Sequence, residues 1–533
     1  MRIDVRAVKR LRESVDAPAV FGPLVQALGS STADLSRLRV VCDWIQYRQN
    51  FREVVDFRPV LGAWGGRHEH AGLEIAVDLR RCPDIDLATR VKEVLAEAEA
   101  ESAAEATEAG LGGAGGATAA AAVASVAAVE TGEAAAVNTD DREPGVAPGA
   151  GRVLLEDWVP GRDSCIWRFN ALYWQALSHW EKATGREYEQ ALPGGESDAR
   201  NKEAVRELIL ELFKVWDDLD ARQALPEELY IVELGVGNGN QARTWLDEFA
   251  ELDVARGRDY YHRLHYLMGD YSPHVLERAR KAVAHHGDRV SALVLDATRP
   301  AHTLGFLAGK AFLVYISNLY DNLPSDEVAR IDGRTYQVEV RAYLPAAAAH
   351  RITETYGIAV DQLGTVIDRL LRLGPELLGV SLPDTFPDVD RAVGFWRDVW
   401  EALRLQERYV PMEGLDLYEV CPSLSGEILR PVLEAAGDIR MHVSNGTLSS
   451  FADTLPLLHP YGRLQCHDLF VTGQRQYRTG FFGPGKYDGS VVNWVNGPLL
   501  QLIGNRRGFD VRFSPFKQRP SANVKTLTAE VRD

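Results

Sequence analysis

A glycine-rich turn between an apolar run and an amphipathic stretch constrains this chain more than any other feature. Residues 230–234 are mostly apolar, contain Glu233 and lead into glycines at alternate positions, Gly235, Gly237 and Gly239. The residues that follow have apolar side chains at i, i+3, i+4 and i+7, which is helical spacing. The pattern predicts a strand, a tight turn and a helix, whose backbone N–H groups face a flat, adenosine-like ligand.

The glycine spacing separates two classes of ligand. A dinucleotide fingerprint has the form Gly-x-Gly-x-x-Gly. Read from Gly235, its third glycine would stand at position 240, where this chain has Asn240. The pattern Glu-x-Gly-x-Gly-x-Gly therefore favours another adenosine-containing cofactor, and a nicotinamide or flavin oxidoreductase is the least favoured alternative.

Three further apolar runs each end in a polar residue. Residues 264–269 precede Asp270, residues 290–295 precede Asp296, and residues 311–317 precede Asn318. Asp270 can accept hydrogen bonds from two ribose hydroxyls and Asp296 from an adenine amino group, although each acid could instead cap a helix. A fifth run, 462–466, ends in His467 and Asp468, and 509–513 with 524–531 predicts a closing hairpin.

These runs predict a Rossmann-like seven-stranded mixed α/β sheet with helices on both faces. Ligands of such sheets bind at the carboxyl ends of the strands. We expect an N-terminal accessory region and a mostly helical insertion after the fourth strand. The predicted segments are 1–95 (accessory), 96–151 (Ala/Glu/Gly-rich linker, expected to be disordered), 152–228 (helical lead-in), 229–327 (first part of the core), 328–460 (insertion) and 461–533 (second part of the core with the hairpin).

The core, residues 229–330 and 410–533, resembles the class I S-adenosylmethionine (SAM) methyltransferases. Within that class it is similar to the MidA-type family associated with mitochondrial complex I assembly. The segments that carry the likeness are 232–239, 270–273, 318–324, 418–422 and 462–468. The MidA likeness would imply methylation of a protein arginine. The segment after Asn318 differs from that pattern, with Leu319 where the family has Glu, so the methyl acceptor stays open.

The resemblance implies SAM as the cofactor and assigns residues to its parts. Glu233 and the glycine turn would hold the methionine end, Asp270 the ribose, and Asp296 with Ala297 the adenine. The full set of expected cofactor residues is Glu233, Gly235, Gly237, Gly239, Asp270, Tyr271, Asp296, Ala297 and Asn318.

The acceptor is expected over the ends of the fourth and fifth strands. Asn318, Tyr320 and Asp321 could orient an amine, hydroxyl or guanidinium, and His467 or Asp468 could take its proton. The alternatives are that His467 is a structural hydrogen-bond partner and that Asp321 caps a turn before Pro324. The aromatic-rich stretch 166–180 is expected to pack against other protein, with a substrate wall as the alternative.

Composition narrows the partners. A net charge of −17 over 533 residues disfavours nucleic acid. Five scattered cysteines form no Cys-x-x-Cys pair, so no zinc site or disulfide framework is indicated, and methyl transfer itself requires no metal. Residues 1–6 are charged and lack the apolar core typical of a signal peptide, and no apolar run has the length of a membrane helix, so we expect a cytoplasmic protein of unknown oligomeric state.

The leading hypothesis is a SAM-dependent methyltransferase that transfers a methyl group to an N or O nucleophile of a protein side chain or a small molecule. The principal alternative is a SAM-binding assembly or scaffold protein without catalytic activity.

Overall fold

The structure, a computed structural model, describes most of the 533 residues. The described ranges are 2–6, 17–29, 35–43, 49–64, 67–111, 152–188, 202–422, 424–435, 437–479, 483–517 and 523–532. The predicted mixed α/β fold with a large sheet is confirmed.

The secondary structure alternates between strands and helices from Leu229 to Ser317. The strands are β1 Arg2–Arg6, β2 Leu38–Asp43, β3 Gln49–Asn50, β4 Val55–Trp64, β5 Arg67–Asp78, β6 Arg152–Leu154, β7 Val159–Pro160, β8 Leu229–Leu234, β9 Leu264–Asp270, β10 Val290–Val294, β11 Ala311–Ser317, β12 Glu327–Ile331, β13 Arg334–Pro345, β14 Arg404–Pro411, β15 Glu419–Cys421, β16 Leu424–Ser425, β17 Ile439–His442, β18 Leu458–Asp468, β19 Phe470–Val471, β20 Gly485–Tyr487, β21 Ser490–Val492, β22 Val495–Asn496, β23 Phe509–Pro515 and β24 Lys525–Val531. The α-helices are Ala17–Gly29, Leu87–Leu111, Ile166–Gln175, Leu177–Thr184, Lys202–Ala221, Asn240–Ala255, Tyr260–Arg263, Pro273–Ala282, Pro300–Leu304, Ala346–Tyr356, Leu363–Ser381, Val389–Ala402, Arg430–Glu434, Asn445–Thr454, Gln476–Thr479 and Gly497–Arg506.

One sheet has seven strands in the order β10-β9-β8-β11-β18-β24-β23. The strands β10, β9, β8, β11 and β18 run parallel to their neighbours, and β24 runs antiparallel to both β18 and β23. Every residue of β11 from Ala311 to Ile316 is buried, as expected for a parallel strand covered on both faces. The parallel strands therefore have their carboxyl ends at one edge of the sheet.

Helices cover both faces of this sheet. Lys202–Ala221, Asn240–Ala255 and Pro273–Ala282 pack on one face, where Trp216, Trp245 and Phe249 fill the interface. The other face is covered by helices that include Asn445–Thr454 and Gly497–Arg506. The strands are thus held between two apolar layers, and their carboxyl ends remain free to form a site.

A second sheet has ten strands and joins parts of the chain that are far apart in sequence. Its path is β1-β2-β5-β4-β14-β13-β12-β17, with β6 and β7 also paired to β13. Residues 328–460, predicted as a mostly helical insertion, supply strands β13, β14 and β17 to this sheet beside strands from the N-terminal region.

The helices of the insertion pack against the helix Ile166–Gln175. Phe169, Tyr173 and Trp180 lie in an apolar cluster with Trp396 and Trp400. This cluster fixes the lead-in region beside the carboxyl edge of the seven-stranded sheet.

The helix Leu87–Leu111 extends beyond residue 95, where the sequence predicted that a linker begins. Residues 112–151 of the expected linker lie outside the described residues. The segment boundaries proposed from the sequence stay predictions.

In the described ranges, no helix has both the length and the apolar character needed to cross a membrane.

Candidate functional site

A cleft of about 440 Å³ lies at the carboxyl edge of the parallel strands. Its lining comes from the ends of β8, β9 and β11, the turn after β10, and the lead-in region. The lining residues are Trp167, Asn170, Ala171, Trp174, Leu177, Tyr188, Glu233, Gly235, Val236, Gly237, Asn238, Gln241, Asp270, Tyr271, Val275, Asp296, Ala297, Thr298, Ser317, Asn318, Leu319, Asn322, Leu323 and Pro324. Eight of the nine expected cofactor residues are among them; Gly239 is not.

The glycine turn has two different structural requirements. Gly237 lines the cleft with φ +57°, and a Cβ atom there would lie 3.1 Å from the Tyr188 hydroxyl. Gly239 has φ +79°, and its Cβ would lie 2.6 Å from Cα of Ala279 in the helix Pro273–Ala282. Gly237 therefore keeps cleft volume open, whereas Gly239 allows two helices to pack closely.

Glu233 is buried at the base of the cleft, with 3% of its surface exposed. Its Oε2 accepts a hydrogen bond from the Tyr266 hydroxyl at 2.7 Å. Burial raises the pKa of Glu233 to about 8, because the low-dielectric surroundings disfavour the carboxylate. The side chain is thus mostly protonated at neutral pH and would be ionised by a cationic ligand.

Two acids stand at the ends of β9 and β10. The carboxylate of Asp270 accepts hydrogen bonds from backbone N–H groups of Ser272 at 3.1 Å and Gly237 at 3.4 Å, and burial raises its pKa to about 6. Asp296 lies exposed at the rim, where it accepts hydrogen bonds from the backbone N–H and hydroxyl of Thr298. Asp270 joins the glycine turn to the strand end, and Asp296 borders the opening.

Aromatic side chains form one wall of the cleft. Trp167 and Trp174 come from the helix Ile166–Gln175, and Tyr188 meets Trp174 edge to face at 5.6 Å between ring centroids. The Tyr271 hydroxyl donates to the carbonyl of Ala171 at 2.7 Å. The stretch 166–180 therefore has both arrangements that were considered from the sequence: some of its rings pack against other protein, and others form a wall of the cleft.

The expected catalytic residues separate into two groups. Asn318 lines the cleft and has φ +52°, an unusual backbone conformation for a residue other than glycine. Tyr320, Asp321, His467 and Asp468 are not among the lining residues, and each is at most 5% exposed. A catalytic role for these four stays a prediction.

Asp468 and Asp321 hold the turn that follows β11. Asp468 Oδ2 accepts backbone N–H groups of Leu319, Tyr320 and Asp321 at 2.8–3.3 Å. Burial and the neighbouring Asp468 raise the pKa of Asp321 well above its usual range. Burial also raises the pKa of Asp468, to about 6. The Asp468 carboxyl thus holds the backbone of the turn that follows Asn318.

His467 lies against the closing hairpin. Its Nδ1 is 3.0 Å from the Thr526 hydroxyl, and its ring packs against Phe516. Burial lowers the pKa of His467 to about 4, so the ring is neutral at physiological pH. These contacts match the structural alternative considered for this residue.

Gln241 is a cleft residue that sequence reasoning missed. It stands in the first turn of the helix Asn240–Ala255 and is 8% exposed, and neither polar atom of its side-chain amide has a hydrogen-bond partner among the described residues. Buried amides are normally bonded. A polar residue directly after the glycine turn, beside the buried positions Ala242 and Trp245, was the signal available in the sequence.

Comparisons with known proteins were made for the whole chain. No protein-family model matches it, and no curated protein does. One similar solved structure is a COG1565 superfamily protein from Burkholderia thailandensis, suggested to be a methyl transferase and bound to S-adenosylhomocysteine. It is 12% identical to this chain over 70% of this chain and 88% of its own length, with a TM-score of 0.40.

Two other structures are named methyltransferases. The 1,6-didemethyltoxoflavin N1-methyltransferase of Burkholderia thailandensis is 9% identical over 73% of this chain and 98% of its own, with a TM-score of 0.28. The CcbJ methyltransferase of Streptomyces caelestis is 11% identical over 65% of this chain and 95% of its own, with a TM-score of 0.27. At these values the likenesses carry no argument about activity, and we base the function on the cleft alone. The finer resemblance to the MidA-type family stays a prediction.

Proposed function

We propose that the chain is a SAM-dependent methyltransferase that acts on an N or O nucleophile of a protein side chain or a small molecule. One observation carries the proposal: the glycine turn, Asp270 and Asp296 come from three neighbouring strand ends and line a single cleft. This combination suits an adenosyl ligand, because the turn would lie under the ligand, Asp270 would bind the ribose and Asp296 would stand at the rim beside the adenine.

The chemistry of the lining fits SAM. Gly237 leaves space that a side chain would fill, and the buried Gln241 amide could bond the amino-acid end of a ligand. Glu233 is close enough to the turn to accept from an ammonium group, while Asp270 would accept from ribose hydroxyls. Asp296 and Ala297 would border the adenine.

Bound SAM would supply an electrophilic methyl group on its sulfonium centre. The work of the protein is then to align the acceptor and exclude water. Asn318 would orient the acceptor through its side-chain amide, and Trp167 and Trp174 would exclude water from that side. The Asp321–Asp468 pair would act through the backbone by fixing the turn beside Asn318.

Calorimetric titration of the full chain with SAM, S-adenosylhomocysteine and NAD tests the proposal. We expect micromolar binding of both adenosyl ligands and no binding of NAD. Binding of NAD alone would replace the proposal with the oxidoreductase alternative. Binding of no ligand would contradict the assignment of the cleft.

A second candidate is a SAM-binding assembly or scaffold protein without catalysis. The burial of Tyr320, Asp321, His467 and Asp468 outside the cleft lining favours it, because these were the expected acid–base groups. Incubation with radiolabelled SAM and a cell extract separates the two candidates. Transfer of label to any component supports the enzyme, whereas tight SAM binding without transfer supports the scaffold.

A further inference from the structure

Three side chains outside the cleft converge on one point of the surface. Asp247 lies on the helix Asn240–Ala255, and His285 and His286 lie in the short 3₁₀ segment Ala284–Arg289 that precedes β10. One carboxylate oxygen and two ring nitrogens, one from each residue, all lie within 4.8 Å of one another. None of the three residues lines the cleft.

The distances between the donor atoms suit a tetrahedral metal ion. Nε2 of His285 is 2.8 Å and Nε2 of His286 is 3.2 Å from Asp247 Oδ1. Zinc bonds to imidazole nitrogen and carboxylate oxygen are about 2.0–2.2 Å long, so neighbouring ligand atoms of a tetrahedral site are roughly 3.3 Å apart. Only small side-chain rotations would be needed to accommodate an ion.

His286 provides an independent indication of a ligand. The residue is 7% exposed, and its Nε2 faces Asp247 Oδ1 at 3.2 Å but makes no hydrogen bond of regular geometry with any residue that the structure describes. Its Nδ1 lies 2.7 Å from the Tyr261 hydroxyl. A proton on Nδ1 that is donated to that oxygen leaves the lone pair of Nε2 directed at the cluster. Metal-bound histidines commonly donate their other ring N–H to an outer partner in this way.

The cluster is open to solvent on one side. Asp247 and His285 are each about half exposed, so solvent can reach the remaining coordination position. Together the three residues offer two imidazole nitrogens, one carboxylate and one open position.

We propose that Asp247, His285 and His286 form a binding site for a zinc-class divalent ion. Imidazole with a single carboxylate selects Zn²⁺, Ni²⁺ or Cu²⁺ over Mg²⁺ and Ca²⁺, which prefer sets of oxygen ligands. The bound ion cross-links the helix that begins at the glycine turn to the segment between the helix Pro273–Ala282 and β10. The site is structural and independent of the proposed methyl transfer.

Zinc titration of the full, chelator-treated chain tests the site. Calorimetry should detect one Zn²⁺ site, and Zn²⁺ should raise the melting temperature. His285→Ala and Asp247→Asn should each weaken this binding at least tenfold and abolish the thermal shift. Both residues are exposed, so circular dichroism should show that both variants remain folded.

His302→Ala is the matched control, because it also removes an exposed histidine but lies on the helix Pro300–Leu304. It should bind Zn²⁺ as the unaltered chain does. Visible absorption of bound Co²⁺ supplies a second measurement, since only four-coordinate cobalt absorbs strongly, and the signal should disappear in His285→Ala. Zinc affinity that is equal in all variants, or Mg²⁺ binding as tight as Zn²⁺ binding, would overturn the proposal.

Discussion

At the scale of single residues, Gly237 gives the most direct test of the cleft. Gly237→Val places a branched side chain beside the Tyr188 hydroxyl, in space that the ligand needs, and forces valine into φ +57°. We expect loss of SAM binding by at least ~100-fold, with a stability cost of about 1–2 kcal/mol from the left-handed backbone. Calorimetry and urea unfolding measure the two effects.

Gly309→Val controls for the backbone strain. Gly309 has φ +70°, and a Cβ there meets no other atom within 4 Å. This variant should lose similar stability and keep its SAM affinity. Undiminished SAM affinity in Gly237→Val would show that the ligand binds elsewhere.

Gln241 allows a test in which stability and affinity change in opposite directions. Gln241→Leu removes a buried amide that has no hydrogen-bond partner in the part of the chain that the structure describes, so the ligand-free protein should gain about 1 kcal/mol of stability. SAM should bind roughly tenfold more weakly, because a hydrogen bond to the ligand is lost. Thermal unfolding measures the change in stability, and calorimetry on the same sample measures the change in SAM affinity. An unchanged SAM affinity would show that Gln241 is not part of the cofactor site.

Glu233 should make stability depend on pH. Its pKa is 4.5 in an unfolded chain and about 8 when folded, so the folded state retains a proton that the unfolded state releases. The associated stability is fully present below pH 4.5 and is lost as pH rises to 8, at up to about 1.4 kcal/mol per pH unit. Asp270, whose pKa is raised to about 6, adds a smaller effect of the same sign.

Glu233→Gln should therefore unfold with a shallower pH dependence than the unaltered chain between pH 4.5 and 8. Urea denaturation at several pH values measures the difference. Parallel stability curves for the two proteins would mean that Glu233 is already ionised in the empty cleft.

At the scale of elements, local patterns predicted the parallel strands well. Residues 230–234 and 264–269 appear as Leu229–Leu234 and Leu264–Asp270, because a buried parallel strand needs a short, mostly apolar run. Eight of the expected cofactor residues meet in one cleft for the same reason. A strand end fixes position along the chain, however, and not the direction of a side chain, which is why His467 faces the hairpin.

The ten-stranded sheet could not be predicted from the same patterns. Its strands bury charged residues such as Arg58, Glu74 and Glu407, which interrupt the apolar alternation that marks a strand. Some of their partners are also hundreds of residues away, as in the hydrogen bond that the Tyr409 hydroxyl donates to Glu74. A pairing that is satisfied only in the folded molecule leaves no local signal.

The helix Leu87–Leu111 determines how many residues of the expected linker can be removed without loss of fold stability. Glu97 on this helix pairs with Arg152 at 2.7 Å, and Glu101 pairs with Arg341. Leu111 lies about 21 Å beyond Glu97 at 1.5 Å per helical residue, and the chain must return that distance to Arg152. About seven extended residues span this gap.

Replacing residues 112–151 with a Gly/Ser segment of about 14 residues should thus lower the melting temperature by less than about 3 °C. Deleting residues 101–149 should cost more, because it removes Glu101 and the end of the helix. Differential scanning calorimetry compares the two proteins. A large loss in the first would show that residues 112–151 contribute to the fold.

At the scale of the whole molecule, a buried ionic cluster joins the N-terminal region to the segment 328–460. Glu407 on β14 pairs with Arg52, with Arg58 on β4 at 2.7 Å, and with Arg440 on β17 at 2.9 Å. These guanidinium groups lower the pKa of Glu407 despite its complete burial. Glu327 also pairs with Arg440, and Glu74 pairs with Arg58, so Glu407 belongs to a buried network of carboxylates and guanidinium groups that links residues 52–74 to residues 327–440.

Glu407→Gln should therefore cost about 3–5 kcal/mol of stability, because it leaves the buried guanidinium groups of Arg52, Arg58 and Arg440 with one compensating negative charge fewer. Glu339→Gln is the matched control: Glu339 lies on the neighbouring strand β13 and pairs with Arg408 at 2.7 Å, but both side chains are partly exposed. Solvent screening should limit its cost to about 1 kcal/mol or less. Urea denaturation measures both variants, and equal losses would mean that the cluster does not hold the N-terminal strands to the rest of the sheet. A loss confined to Glu407→Gln would mean that the N-terminal strands and the insertion fold as one cooperative unit.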